Sequence, residues 1–292
     1  MNEEFAIEPE TFNDCSNARY IIEKFGFSQA IFISQVPGNW YKEVYLQLEK
    51  LNDGPSKLMA KRLLQNLKAS GGLIKGGVDF NPQVSWIENV ATCEKEYKGI
   101  LVSEETNRKD YKCQTISEVD YTFFKADKSR NITRTVENYG KIARRLLEFG
   151  PEIYLIDPYF SFHKENNMNL LKKFVEIGLK GKCKKFVIYA GSERNNFEVF
   201  EKKMCKNFKG TGASFEFFFV AAHQENFHER YLLSRHGGIQ FGRGFETAED
   251  KDLNLRVDAL SAEAHEGLCV DYIDHAHNLD IKKNMKWGLI KF

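Results

Sequence analysis

The sequence predicts an α/β protein in two parts, a smaller N-terminal α/β domain over residues 1–125 and a mixed sheet flanked by helices over residues 126–292. Three observations carry this. Hydrophobic, strand-like runs alternate with helix-period segments along most of the chain. A polar stretch of about 30 residues from Glu104 interrupts that pattern near the middle. Late in the chain, two strand-like runs follow one another across a glycine-containing turn, adding an antiparallel pair to an otherwise alternating order.

Taken in order, the N-terminal part opens with a helix from Asn17 to Phe25 and a strand from Ala30 to Ser34. Two helices follow, with apolar residues at i, i+3, i+4 and i+7 spacing: Tyr41, Val44, Tyr45, Leu48 and Leu51, then Leu58, Leu63, Leu64 and Leu67. Pro55 opens the second. Gly71 to Gly77 reads as a short strand with a glycine turn on either side, because neither GxxxxGK[ST] nor GxGxxG is present to make it a phosphate loop. A short helix near Ser85–Val90 and a strand at Gly99 complete this part, to which no chemistry is assigned beyond a partner-binding role. Short β-prone pieces around Ile116 and Tyr121–Phe124 interrupt the boundary region.

The C-terminal part begins with an amphipathic helix from Arg134 to Leu147. After Gly150 and Pro151 comes a buried strand from Glu152 that ends on Asp157 and Pro158. An acid at the carboxyl end of such a strand sits where α/β folds place ligands. A helix from Asn167 to Gly178, a strand from Lys184 to Ala190, a helix from Phe197 to Phe208 and a strand from Ser214 to Val220 follow.

Composition narrows the class. With 292 residues, 42% hydrophobic and 28% charged, the chain can bury one large core or two modest ones. No run approaches a membrane span, and Met1–Phe5 lacks the basic start of a secretory signal, so a cytoplasmic protein without a transmembrane segment is expected. The six cysteines form no CxxC pair and are expected to be reduced and buried. Net charge is +1, but residues 172–209 hold eleven Lys and Arg against four acids. That run could attract phosphate, yet without interleaved aromatics it reads better as the solvated faces of two helices around a buried strand.

All seven histidines lie after the central break. Phe227 to Glu246, FHERYLLSRHGGIQFGRGFE, puts His228 and Arg230 two residues apart on a strand, follows them with a Gly-Gly turn, and closes a second strand with Gly242-Arg243-Gly244. Alternation sets His228, Arg230 and Leu232 on one face and Glu229, Tyr231 and Leu233 on the other. Arg243 comes from the neighbouring strand and Asp157 from a third, so four polar groups are expected to converge at one end of the sheet. As an edge hairpin, the same face could simply be solvated. His223 and His236 read as turn or surface residues. Asp271, Asp274, His275 and His277 could bind metal, but no single element presents them together and no metal site is expected.

A hydrophobic strand ending in Asp-Pro-Tyr, then helix, strand, helix and strand, then His-x-Arg on one strand and Gly-Arg-Gly on the next, resembles the phospholipase D superfamily. It is similar in particular to the divergent phospholipase-D-like domain at the C-terminus of MIT-domain proteins, whose hairpin also carries His-acid-Arg, a turn and Gly-Arg-Gly. The resemblance covers about residues 132–280 and leaves out the N-terminal part, which shows no sign of the MIT helical bundle. Active members carry His-x-Lys, an Asp seven residues after the His, and a Gly fourteen after it, followed by a small residue and an Asn. Here His228 keeps the His, Arg230 stands for the Lys, Arg235 replaces the Asp, Gly242 falls on the Gly, and Arg243 and Phe245 replace the small residue and the Asn.

The resemblance implies a metal-independent, cofactor-free phosphodiesterase or nuclease. His228 would attack phosphorus, and Arg230 and Arg243, with Gly242, would hold phosphate while Asp157 supports them. One motif copy per chain and an exposed apolar hairpin imply a homodimer that brings two hairpins together. The departures at Arg235 and Phe245 keep a second reading open: a module without catalysis that binds acidic lipid as a peripheral membrane protein, nucleic acid, or a protein partner, the last also through the N-terminal domain.

Overall fold

The computed structural model describes residues 1–93, 96–104, 113–195, 197–221, 227–247, 254–275 and 279–287. The chain is α/β and divides into two compact units, Met1–Asp127 and Lys128–Phe292, each built around its own sheet.

The first unit runs β1 (Glu3–Ile7), α1 (Cys15–Ile22), β2 (Ile31–Gln35), α2 (Trp40–Glu49), α3 (Pro55–Ala69), β3 (Leu73–Lys75), α4 (Trp86–Ala91), β4 (Gly99–Val102) and β5 (Gln114–Thr115). Its strands are parallel in the order β3-β2-β1-β4-β5. Phe5, Ile7, Ile31 and Ile33 face α1, α2 and α3, whereas Ala6, Val36 and Val102 pack against Trp86, Ile87 and Val90 around α4. Helices therefore cover both faces. Asp14 caps α1 through the amides of Ser16 and Asn17, and Ser85 and Glu88 form a capping box on α4. The central strand β1 was not expected from sequence. Glu3 and Glu4 begin it and only Phe5–Ile7 are buried, too few residues to show an alternating pattern.

The second unit runs β6 (Ser129–Thr133), α5 (Val136–Phe149), β7 (Glu152–Asp157), α6 (Glu165–Lys180), β8 (Lys185–Gly191), α7 (Phe197–Phe208), β9 (Ser214–Val220), β10 (Tyr231–Ser234), β11 (Gly237–Phe241), β12 (Asn254–Ala259), α8 (Ala262–Leu268), a π turn (Cys269–Ile273) and β13 (Ile281–Trp287). The eight strands order as β13-β9-β8-β7-β10-β11-β12-β6. β7, β8 and β9 are parallel, and the remaining pairings are antiparallel. On one face Phe217 meets Phe200 and Phe162 edge-on, at 4.6 and 5.3 Å between ring centroids. On the other, Tyr154, Ile156, Tyr189 and Leu233 pack on Tyr272 and Ile273 of the π turn.

Four sequence expectations are corrected. The His228–Glu246 hairpin is not at an edge, since β10 pairs with β7 on one side and β11 on the other. Leu232 and Leu233 are both fully buried, so the hairpin offers no exposed apolar surface for a dimer. The turn is Arg235-His236, and Gly237 and Gly238 belong to β11, where a Cβ on Gly238 would lie 2.5 Å from Leu260 Cδ1 and 2.6 Å from Leu233 Cδ2. Gly238 serves close packing of the hairpin against its neighbours. All six cysteines are free, but only Cys113 and Cys183 are buried, because the others lie on partly or fully exposed positions. Among the described residues, no helix is long and apolar enough to cross a membrane.

Candidate functional site

The carboxyl ends of β6, β7, β8 and β11 and the entry to β10 share one edge of the second sheet. Asp157 closes β7 there and is 2% exposed. Its Oδ1 accepts from the Tyr159 amide at 2.8 Å and its Oδ2 from the Phe245 amide at 3.0 Å. Burial pushes the carboxyl above its usual range, against the opposing effect of those two amides and of Arg230. Pro158 stops the strand, and the turn it starts sends the Tyr159 ring outward, 41% exposed.

Arg230 reaches the same place from the other side. The register Tyr231–Ile156 and Leu232–Leu155, carried back one residue, sets Arg230 opposite Asp157 on the same face. Its guanidinium carbon lies 4.6 Å from the centre of the Tyr159 ring, and that of Arg194 lies 4.9 Å from the same centre. Arg230 Nε is buried without a hydrogen-bond partner. Arg194 stands on a 3-10 turn (Ser192–Arg194) after β8 that is fixed from below. Asn195, buried, donates to the carbonyls of Phe160 and Gly191 and accepts from the Phe162 amide, while Ser161 Oγ donates to the Arg194 carbonyl.

The loop after β11 completes the edge. Gly244 adopts φ +77°, and a Cβ there would stand 2.8 Å from Asp157 Oδ2 and 3.3 Å from Arg230 Cγ. Its carbonyl accepts from the buried Tyr139 hydroxyl at 2.8 Å. Glu246 pairs with Lys164 at 2.7 Å and Arg134 at 3.7 Å, and the Lys164 hydrogen bond leads in holding its carboxyl below the usual range. Glu246 is thus shared between two cations, and the charge of Arg194 also acts on it. The charge of Arg230 acts on Asp157, yet none of Arg194, Arg230 and Arg243 makes an ion pair within 4 Å of an acid among the described residues.

The structure brings together Asp157, Arg230 and the Gly242–Gly244 loop. It places His228 just outside β10, exposed, with no hydrogen bond or ion pair to a described residue. Burial of Phe227 together with Leu233 keeps the expected alternation, leaving His228 on the Arg230 side. Arg243 is exposed at the loop tip. Gly242 is exposed and donates its amide to the Arg256 carbonyl at 3.0 Å, so the glycine that must be small at the site is Gly244. Arg235, at the far end of the hairpin, binds Asp274 at 2.6 Å. His236 lies in the turn against Phe149, and burial lowers its pKa. His275 bonds the Tyr189 hydroxyl, and His223 and His277 lie outside the described residues. Sequence reasoning missed Tyr159 and Arg194. Their signals were a tyrosine directly after Asp157-Pro158 and the only arginine in the lysine-rich run 172–209.

No family model matches the chain, and no curated protein matches it. Among solved structures, that of TrmBL2, an archaeal chromatin protein said to show a novel mode of DNA binding, matches 53% of this chain and 55% of its own length. The chain thus spans about half the length of that protein. At 13% identity and a TM-score of 0.32, the likeness carries no argument about fold or function.

Proposed function

We propose that the second unit is a phospholipase-D-like domain that recognises phosphodiesters through Arg230 and Arg243. The observation that supports this is the state of Arg230: its Nε is buried without a hydrogen-bond partner, and the one carboxyl beside it, Asp157, has both oxygens taken by amides. A guanidinium with one buried, unsatisfied nitrogen is stabilised by a bound anion, and phosphate matches its fork. Six free thiols suit a reducing cytoplasm.

In the catalytic form of this reading, two chains pair. A His228 imidazole nitrogen forms a bond to phosphorus as the ester P–O bond breaks, the partner chain's imidazolium gives its proton to the leaving oxygen, and water then releases phosphate from the histidine. In the alternative, a binding module, His228 is idle, and the lack of a described carboxylate to fix its tautomer favours that version. Arg230→Ala is expected to weaken phosphodiester binding by about 10- to 100-fold, the loss of one charge-assisted contact. Unchanged affinity would overturn the site. Cleavage in EDTA that disappears in His228→Ala, from a chain that scatters light as a dimer, would select the enzyme; binding without turnover would select the module.

A further inference from the structure

We infer that Arg194 and Tyr159 extend this site to a second phosphate, so that its ligand is a single strand of nucleic acid. The inference rests on the phosphodiester reading above and names the substrate class. Arg194 and Arg230 approach one exposed ring, at 4.9 and 4.6 Å from its centre, and neither makes an ion pair within 4 Å of an acid among the described residues, their acidic neighbours Glu246 and Asp157 being engaged by Lys164 and by two amides. Two like charges held around one ring repel, and each cation–π contact offsets only about 0.5–1 kcal/mol. Neighbouring anions relieve that repulsion, and successive phosphates of one strand supply them.

The turn beneath Arg194 is rigid for a stated reason. Asn195 makes three hydrogen bonds from a buried position, so the guanidinium is presented by a fixed backbone. Cations interleaved with an aromatic ring are what non-sequence-specific single-strand surfaces combine, the phosphates meeting the charges and a base finding the ring or a guanidinium plane. A lipid surface calls for apolar side chains that enter it beside the cations. Among the described residues of the second unit, Tyr159 and Val270 are the only exposed large hydrophobics, and Tyr159 stands between two guanidiniums that would have to lose water to enter an apolar layer with it.

The test measures binding of wild type, Arg194→Ala, Arg194→Lys and Arg230→Ala to a dodecathymidylate strand, to thymidine 5′-monophosphate methyl ester and to phosphatidic-acid vesicles, at two salt concentrations. Arg194→Ala should lower oligonucleotide affinity about 10-fold or more and reduce the salt slope by about one, leaving the mononucleotide unchanged. Arg194→Lys should recover the slope and part of the affinity. Full oligonucleotide affinity in Arg194→Ala, with loss in Arg230→Ala, would overturn this inference and leave the phosphodiester site standing. No effect of either substitution would overturn both. Vesicle binding that depends on Arg194, or wild type that binds no oligonucleotide, would also overturn it. Because the Arg194 side chain is exposed, its variants should melt with wild type, which separates a binding loss from unfolding.

Discussion

Gly244→Ala is expected to destabilise the second unit by about 2–4 kcal/mol and to remove anion binding with it. The residue sits at φ +77°, a conformation that costs an L side chain, and its added methyl would meet Asp157 Oδ2 at 2.8 Å and Arg230 at 3.3 Å. Neither neighbour can yield cheaply. Asp157 is held by two amides, and the loop backbone is tied to the Tyr139 hydroxyl. Thermal or urea unfolding measures the loss. Gly242→Ala is the control: its Cβ would have 3.4 Å to the Arg256 carbonyl and no positive φ, so it should be nearly neutral. Equal stability of the two variants would refute the geometry given for the loop.

Asp157→Ala is expected to cost about 2 kcal/mol, chiefly because the buried Phe245 amide loses its acceptor. Removing a poorly solvated carboxyl gives some of that back. The pH dependence has a definite sign. Burial raises the native pKa of Asp157, so above about 4 the unfolded chain releases a proton that the native state still holds. Stability from this group is therefore greatest below the unfolded value and falls as pH rises to the folded value. Asp157→Asn has no such proton. The wild-type Tm relative to that variant should decline as pH rises from 4, and a flat or rising difference would contradict a raised pKa.

The strands and helices with long periodic patterns were legible in the sequence. α3 starts at Pro55, β7 ends on Asp157, and α6, β8, α7 and β9 alternate as read. Elements whose burial is set by neighbours were not. β13 carries three lysines and an asparagine and owes its place to pairing with the phenylalanines of β9. β12 and β6 close the opposite side through a pairing between distant segments that no local pattern announces. At the site, Asp157 and Arg230 were legible because each ends or enters a strand on a known face. Arg194 was not, since it lies in a lysine-rich run and only the path from β8 brings it over Tyr159. Gly242 attracted attention by spacing, whereas the constraint on Gly244 depends on a loop folding back onto another strand.

The central position of the hairpin governs the order in which a nascent chain can be completed. β7, β8 and β9 leave the ribosome as a parallel set, with the Asp157 strand bare along the side that β10 later fills. That unpaired border persists until Ser234 has emerged, and it is an invitation to pair with the wrong strand. Arg134 waits longer for its partner, because Glu246 follows the hairpin. The last pairing on the β11 side of the hairpin, β12 with β6, joins Asn254 back to Thr133, across everything synthesised between them. The sheet is thus complete on this side only after the chain has returned to where the unit began, so a translation product that stops before Asn254 lacks the strand between β11 and β6.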